Sequence, residues 1–481
     1  MKEVITRFAP SPTGNLHIGG ARTALFSYLW AKKNKGKFIL RIEDTDQDRL
    51  VDGAEDSILQ GLEWLGIKWD DGPYHQSERL DLYKKAVDKL LEQGNAYYCF
   101  CSQERLTKMR DAQVKNKQAP KYDKACLNLS KEDIEKKLEN KEKYVIRLKV
   151  PEGETIKFYD EIRGDIEINT KDVDDQVLIK SDGFPTYHLA VVVDDNDMGV
   201  NYVIRGEEWL PSVPKHVLLY KYLGYDLPKF AHLSLFIKKE GGKLSKREGA
   251  TSLLNYRDQG YLPEAVNNFM AFLGWNPKDT REKFSLKELE EEFDLKNVNK
   301  ANPIFDTEKL DYINGVYLRE MDLDKFVDIC IPFMEKEIKS DLMADRDYVK
   351  KVLMLEQERV KKLDEIGEFT KYFFIDDVEL KYDKDILIWK KDAPEKICNN
   401  LELLINKLKE IDESNWSREG LEKEIINWIK NNDLSNGEIL FPMRAALSGE
   451  KNSPSPFEIA DVLGKNRVIN RLQIAIGGLQ K

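Results

Sequence analysis

Residues Arg7 to Leu25 read RFAPSPTGNLHIGGARTAL. This stretch follows the short apolar run Val4-Ile5-Thr6-Arg7-Phe8 and leads into a helical pattern over Ile18–Lys33, with Leu25, Leu29 and Trp30 on one side. A glycine-rich turn between a strand and a helix points backbone N–H groups outward, and the helix N-terminus adds partial positive charge. Such a turn suits an anion, usually a phosphate, although a tight turn that only needs small residues fits the spacing equally well. The two common phosphate loops do not explain it. Gly14 and Gly19 fit a P-loop, but Gly20-Ala21 stand where Lys-Ser/Thr are required, and the G-x-G-x-x-G dinucleotide pattern is absent. His17 is left without a role by both.

Working outward, Lys37–Ile42 reads as a second strand, and helices are expected over 53–65 and 77–93. Strand and helix alternating in this way imply a parallel sheet with helices on its faces. The rhythm breaks over 96–190, which holds a Lys-rich segment with cysteines and β-like runs such as Tyr144–Leu148. It resumes at Val200–Arg205 and a helix near 214–223. An insertion therefore splits one α/β domain. From about residue 321 the chain is rich in Lys, Glu and Leu and reads as helical.

Composition bounds the function. A chain of 481 residues with 41% apolar and 34% charged residues suits about three globular domains. No apolar run is long enough for a membrane span and no secretory leader is visible, so a cytoplasmic protein without a membrane partner is expected. Five cysteines spread over this length read as reduced thiols. The net charge of −10 does not favour a nucleic-acid partner, and the last third also carries more acidic than basic residues, so such a partner must be argued from motifs.

The motifs supply it. P-S-P-T-G-x-L-H-I-G-G resembles the HIGH signature of class I aminoacyl-tRNA synthetases, in the form found in bacterial glutamyl-tRNA synthetases. Lys243-Leu244-Ser245-Lys246-Arg247 resembles their second, KMSKS-type signature, and R-I-E-D-T-D and I-R-G-E-E-W-L lie between the two. The resemblance implies a Rossmann-like catalytic domain over 1–95 and 191–250, an α+β insertion over 96–190 that takes the acceptor end of tRNA, a stem-contacting region over 251–320, and an all-α anticodon-binding portion over 321–481. It implies activation of L-glutamate with ATP and Mg2+, then transfer to tRNA(Glu), by a monomer. A non-discriminating enzyme that also charges tRNA(Gln) is the alternative within the family. An idle RNA-binding relative and a nucleotidyltransferase acting on small molecules are the alternatives outside it, disfavoured by the paired signatures and the long tail.

By the same resemblance, His17, Lys243 and Lys246 carry the catalysis. Thr13, Gly14, His17, Gly19, Gly20, Glu208, Lys243, Ser245, Lys246 and Arg247 bind ATP. Arg7, Ser11, Glu43, Tyr187 and Arg205 bind glutamate, the arginines because a guanidinium fork prefers a carboxylate to an amide. The family often has Asn where this chain has Val191. Asp44-Thr45-Asp46-Gln47-Asp48 matches part of a calcium loop, but Arg49 occupies the position that needs Gly. Cys99, Cys101 and Cys126 have a spacing that suits zinc, with Tyr122 as a fourth candidate ligand. Zinc-bearing relatives have a histidine where Asn128 stands, and three metal-free thiols are the competing expectation.

Overall fold

The structure is a computed structural model and describes residues 2–237, 239 and 252–480. The first strand, β1 (Ile5–Phe8), leads into α1 (Ile18–Lys33), and the chain returns as β2 (Lys37–Ile42), parallel to β1. Phe38, Ile39, Leu40 and Ile42 are all buried, because a central parallel strand is covered on both faces, and Arg41 between them is buried too, with its charge paired. The helices α2 (Ala54–Trp64) and α3 (Leu80–Glu92) follow, with β3 (Asp71–His75) between them, parallel to β2. The sequence pattern does not mark β3. Its Gly72-Pro73 reads as a turn, yet Gly72 (φ +100°) is needed there because a Cβ would overlap the Leu40 carbonyl oxygen.

The stretch expected as an insertion holds β4 (Ala96–Cys99), α4 (Gln103–Lys115), α5 (Lys131–Glu139), β5 (Val145–Leu148), β6 (Thr155–Asp160), β7 (Gly164–Asn169) and β8 (Val177–Ile179). Strands β4, β5 and β8 form a small antiparallel sheet. The hairpin β6–β7 goes elsewhere. After α6 (Tyr187–Asp197), β9 (Tyr202–Gly206), α7 (Val213–Leu223) and β10 (Lys229–Leu233), strand β10 lies between β9 and β6, parallel to both. Asn201 links β9 to the first sheet, accepting from Ile5 N through its side chain at 2.9 Å and donating its backbone N–H to Ile5 O at 3.0 Å. One hairpin of the insertion thus extends the main parallel layer.

The described chain forms two compact units, 1–257 with 263–310, and 258–262 with 311–481. The second contains no β-strand among its described residues. Its helix Pro394–Glu410 buries Ile397, Leu401, Leu404 and Leu408, an apolar stripe at helical spacing. Buried Arg471 stitches that unit together, bonding Asp377 Oδ1 at 2.7 Å and the Tyr372 carbonyl at 2.7 Å. Among the described residues, no helix is long and apolar enough to cross a membrane.

Candidate active site

The C-terminal ends of β1, β2 and β9 and the N-terminus of α1 surround a cavity of about 820 Å³ in the first unit. Ligands of parallel α/β sheets sit at this end of the strands. Arg7, Ser11, Thr13, His17, Gly19, Gly20, Glu43, Tyr187, Arg205 and Glu208 all line it. Gly14 and Val191 do not; Val191 is packed in the core beside Leu189 and Ala190. Lys243, Ser245, Lys246 and Arg247 lie outside the described residues.

His17 is the N-cap of α1. Its Nδ1 accepts from the backbone N–H of Gly19 at 3.1 Å and of Gly20 at 3.3 Å, which satisfies two of the helix's otherwise unpaired donors. The chain after the second signature returns to the same place, since Leu253 donates its N–H to the Leu16 carbonyl at 2.7 Å and Ser252 bridges to His17.

Two arginines line the cavity in different electrostatic surroundings. Arg7 bonds Asp195 at 3.1 Å, and Asp195 is shared with Arg41 at 2.8 Å. Burial works to push the Asp195 carboxyl up, but the two guanidinium groups outweigh it and leave it below the usual range. Arg41 also bonds Glu43 at 3.1 Å. At Glu43 burial wins over Arg41 and Arg7, and its carboxyl is raised to about 7.

Arg205, only 5% exposed, is surrounded differently. Its guanidinium donates to Tyr187 Oη at 2.8 Å and His232 Nε2 at 3.1 Å, and meets His216 Nδ1 at 3.4 Å. Burial drives the His216 ring, and less strongly His232, towards the neutral form, with the Arg205 charge adding to the effect. All three partners are therefore uncharged, and no described carboxylate pairs directly with this guanidinium. A buried cation with neutral partners keeps its charge available to an incoming carboxylate.

Sequence reading did not single out Arg22, Gln76, Lys180 or Trp209, which also line the cavity. Arg22 had a visible signal, a charged residue on an apolar helix one turn after Gly19. It donates to the carbonyls of Leu273, at 2.7 Å, and Ser234, and lies over the Phe236 ring at 4.2 Å. Burial lowers it to about 9, with Glu208 and Glu207 opposing. Trp209 packs against Tyr187 with centroids 4.2 Å apart and the ring planes tilted by 36°.

Away from the cavity, the sulfurs of Cys99, Cys101 and Cys126 lie within 4.8 Å of one another, the only such group among the described residues. Tyr122 Oη stands 3.3 Å from Cys99 Sγ and 3.4 Å from Cys101 Sγ. A tetrahedral ion with bonds of about 2.3 Å needs sulfurs roughly 3.8 Å apart, so the donor set fits zinc. Asn128 is exposed.

Comparison with known proteins identifies the family. Residues 3–312 match the family described as tRNA synthetases class I (E and Q), catalytic domain, and residues 325–476 match an anticodon binding domain. The chain is 45% identical over its full length to a glutamate–tRNA ligase of Thermoanaerobacter pseudethanolicus, covering 99% of that protein. It is 44% identical over 99% of its length to one from Clostridium botulinum, again covering 99%. A crystal structure of a glutamate tRNA ligase from Elizabethkingia meningosepticum in complex with its amino acid superposes with a TM-score of 0.88 at 37% identity, over 99% of this chain and 100% of that one. With a family match across most of the chain and relatives of this identity along all of it, the chain belongs to the class I tRNA synthetases of the glutamate and glutamine type.

Proposed function

We propose that the chain activates L-glutamate with ATP and Mg2+ and transfers the glutamyl group to tRNA(Glu). The observation that carries this reading is Arg205, a buried cation with neutral partners that lines the same cavity as the N-terminus of a helix. Arg205, with Arg7 and Tyr187, takes the side-chain carboxylate of glutamate, Ser11 adds a hydroxyl, and Glu43 accepts from the ammonium. The α-carboxylate oxygen then attacks the α-phosphorus of ATP and pyrophosphate leaves, so no enzyme nucleophile is needed. Charge that develops on the phosphates is met by His17, the backbone near Thr13, Gly19 and Gly20, and the lysines Lys243 and Lys246 of the second signature, with Ser245, Arg247 and Glu208 beside the nucleotide. In the second step a terminal ribose hydroxyl attacks the carbonyl carbon of the adenylate and AMP departs.

In this reading the 96–190 stretch receives the acceptor end, 251–320 contacts the stem, and the helical unit from 321 reads the anticodon. Cys99, Cys101, Cys126 and Tyr122 hold a structural zinc that braces the first of these. The test is charging of labelled glutamate onto separately purified tRNA(Glu) and tRNA(Gln). Charging of tRNA(Glu) alone is expected. Charging of both assigns a non-discriminating enzyme that depends on an amidotransferase, and charging of neither overturns the reading.

A further inference from the structure

Three adjacent strands place Asp160, His232 and Arg205 side by side. In the parallel ladder of β9 and β10, His232 stands opposite Arg205, while Asp160 ends β6 on the other side of β10. All three are buried, Asp160 and His232 completely. Asp160 Oδ2 meets His232 Nδ1 at 2.6 Å, and Asp160 Oδ1 is itself fixed by the backbone N–H groups of Ile162 at 3.0 Å and Arg163 at 2.8 Å. The carboxylate has no proton to give, so Nδ1 carries it. Nε2 is then left with a lone pair, pointed at the Nε–H of Arg205 3.1 Å away.

We propose that Asp160 and His232 are a positioning pair for Arg205. The carboxylate locks the imidazole tautomer, and the imidazole lone pair holds the edge of the guanidinium so that its fork faces the cavity. This rests on the reading of Arg205 as the ligand for the glutamate carboxylate. Neutral histidine holds the arginine without consuming its charge, which a carboxylate in the same place would do. His216, which meets another nitrogen of the same guanidinium and passes its Nε2 to His188 Nδ1 at 3.0 Å, continues the neutral lining. The arrangement also gives the β6–β7 hairpin a task, since it brings Asp160 into the main layer.

The test is aminoacylation by the full-length protein, with KM for glutamate and for ATP measured separately and melting followed in parallel. Arg205→Ala serves as the reference. His232→Phe keeps a ring but removes the acceptor, and is expected to raise KM for glutamate about tenfold or more while ATP changes less than about twofold. His232→Gln presents an amide oxygen near the Nε2 position and is expected to recover most of the loss. Asp160→Asn frees the other tautomer, whose Nε2–H opposes the arginine. It is expected to raise KM for glutamate, and less so when His232→Gln is present, because an amide oxygen accepts whatever stands at 160. Equal behaviour of the Phe and Gln variants, or an equal rise for both substrates, overturns the pair. So does a melting loss with no change in KM. If Arg205→Ala spares glutamate use, the reading of Arg205 fails. If only Arg205→Ala raises KM for glutamate, the positioning pair alone fails. Should His232→Phe not fold, the Asp160→Asn and His232→Gln comparison decides.

Discussion

His17 closes the helix it precedes, with Nδ1 accepting from Gly19 N at 3.1 Å and Gly20 N at 3.3 Å. This leaves only Nε2 for any other partner. Asparagine reproduces the Nδ1 acceptor but not Nε2, so two roles separate. His17→Ala is expected to lose both the cap, about 1 kcal/mol, and activation. His17→Asn is expected to melt like the wild type while glutamate-dependent pyrophosphate exchange, measured with tRNA, falls roughly 100-fold. Full exchange in His17→Asn would mean that the ring does nothing beyond capping.

Asp195 is shared by two buried arginines, Arg7 at 3.1 Å and Arg41 at 2.8 Å. Asp195→Asn removes the negative charge and leaves both cations in low-dielectric surroundings, with Arg41 keeping Glu43 and a longer contact to Asp194 at 3.7 Å. A loss of about 3 kcal/mol is expected from urea unfolding, with a higher KM for glutamate as Arg7 loosens. A loss well under 1 kcal/mol would show that Glu43 and Asp194 suffice to hold the arginines.

Glu43 gives the site a pH dependence. Its carboxyl is raised to about 7 by burial, against an unfolded value near 4.5. The folded state therefore binds the proton more tightly, and the wild type gains stability relative to Glu43→Gln as pH falls from about 7 towards 4.5. Function runs the other way, because only the carboxylate attracts the substrate ammonium. KM for glutamate is expected to rise between pH 8 and pH 6 in the wild type and to be high and flat in Glu43→Gln. A flat wild-type profile would remove Glu43 from ammonium binding.

The cysteine cluster predicts a stoichiometry. Protein purified without chelators is expected to carry about one zinc by elemental analysis, and Cys126→Ser to lose it. Chelation should lower the melting temperature of the wild type and leave that of Cys126→Ser unchanged. Wild-type protein without zinc would leave three reduced thiols packed around Tyr122.

The parallel core was legible because its signals are local. β2 carries the apolar run Phe38-Ile39-Leu40, and the helix over Ile18–Lys33 has the bounds expected from its pattern. β3 was hidden because Gly72-Pro73 serves a close approach to Leu40, a tertiary requirement that reads locally as a turn. The pairing of β6 with β10 joins residues about 70 positions apart, and no local periodicity records such a partner. The candidate site shows the same division. Arg7, His17 and Arg205 are marked by the motifs that resemble a known family, whereas His232 and Asp160 matter through a register that only the folded sheet creates.

Gly206 offers the sharpest handle on Glu208. Its backbone is ordinary (φ −67°), but a Cβ there would stand 2.6 Å from the Glu208 carboxyl carbon. The obstructing atoms are the far end of a flexible side chain, so Gly206→Ala should fold normally and push the carboxylate aside. If Glu208 contacts the nucleotide, Gly206→Ala and Glu208→Gln should both raise KM for ATP, about tenfold for the loss of one charged hydrogen bond, and leave KM for glutamate nearly unchanged. Arg205 lies immediately before Gly206, so a rise confined to glutamate would mean that the added methyl acts through Arg205 instead. Unchanged kinetics in both variants would take Glu208 out of the ATP site.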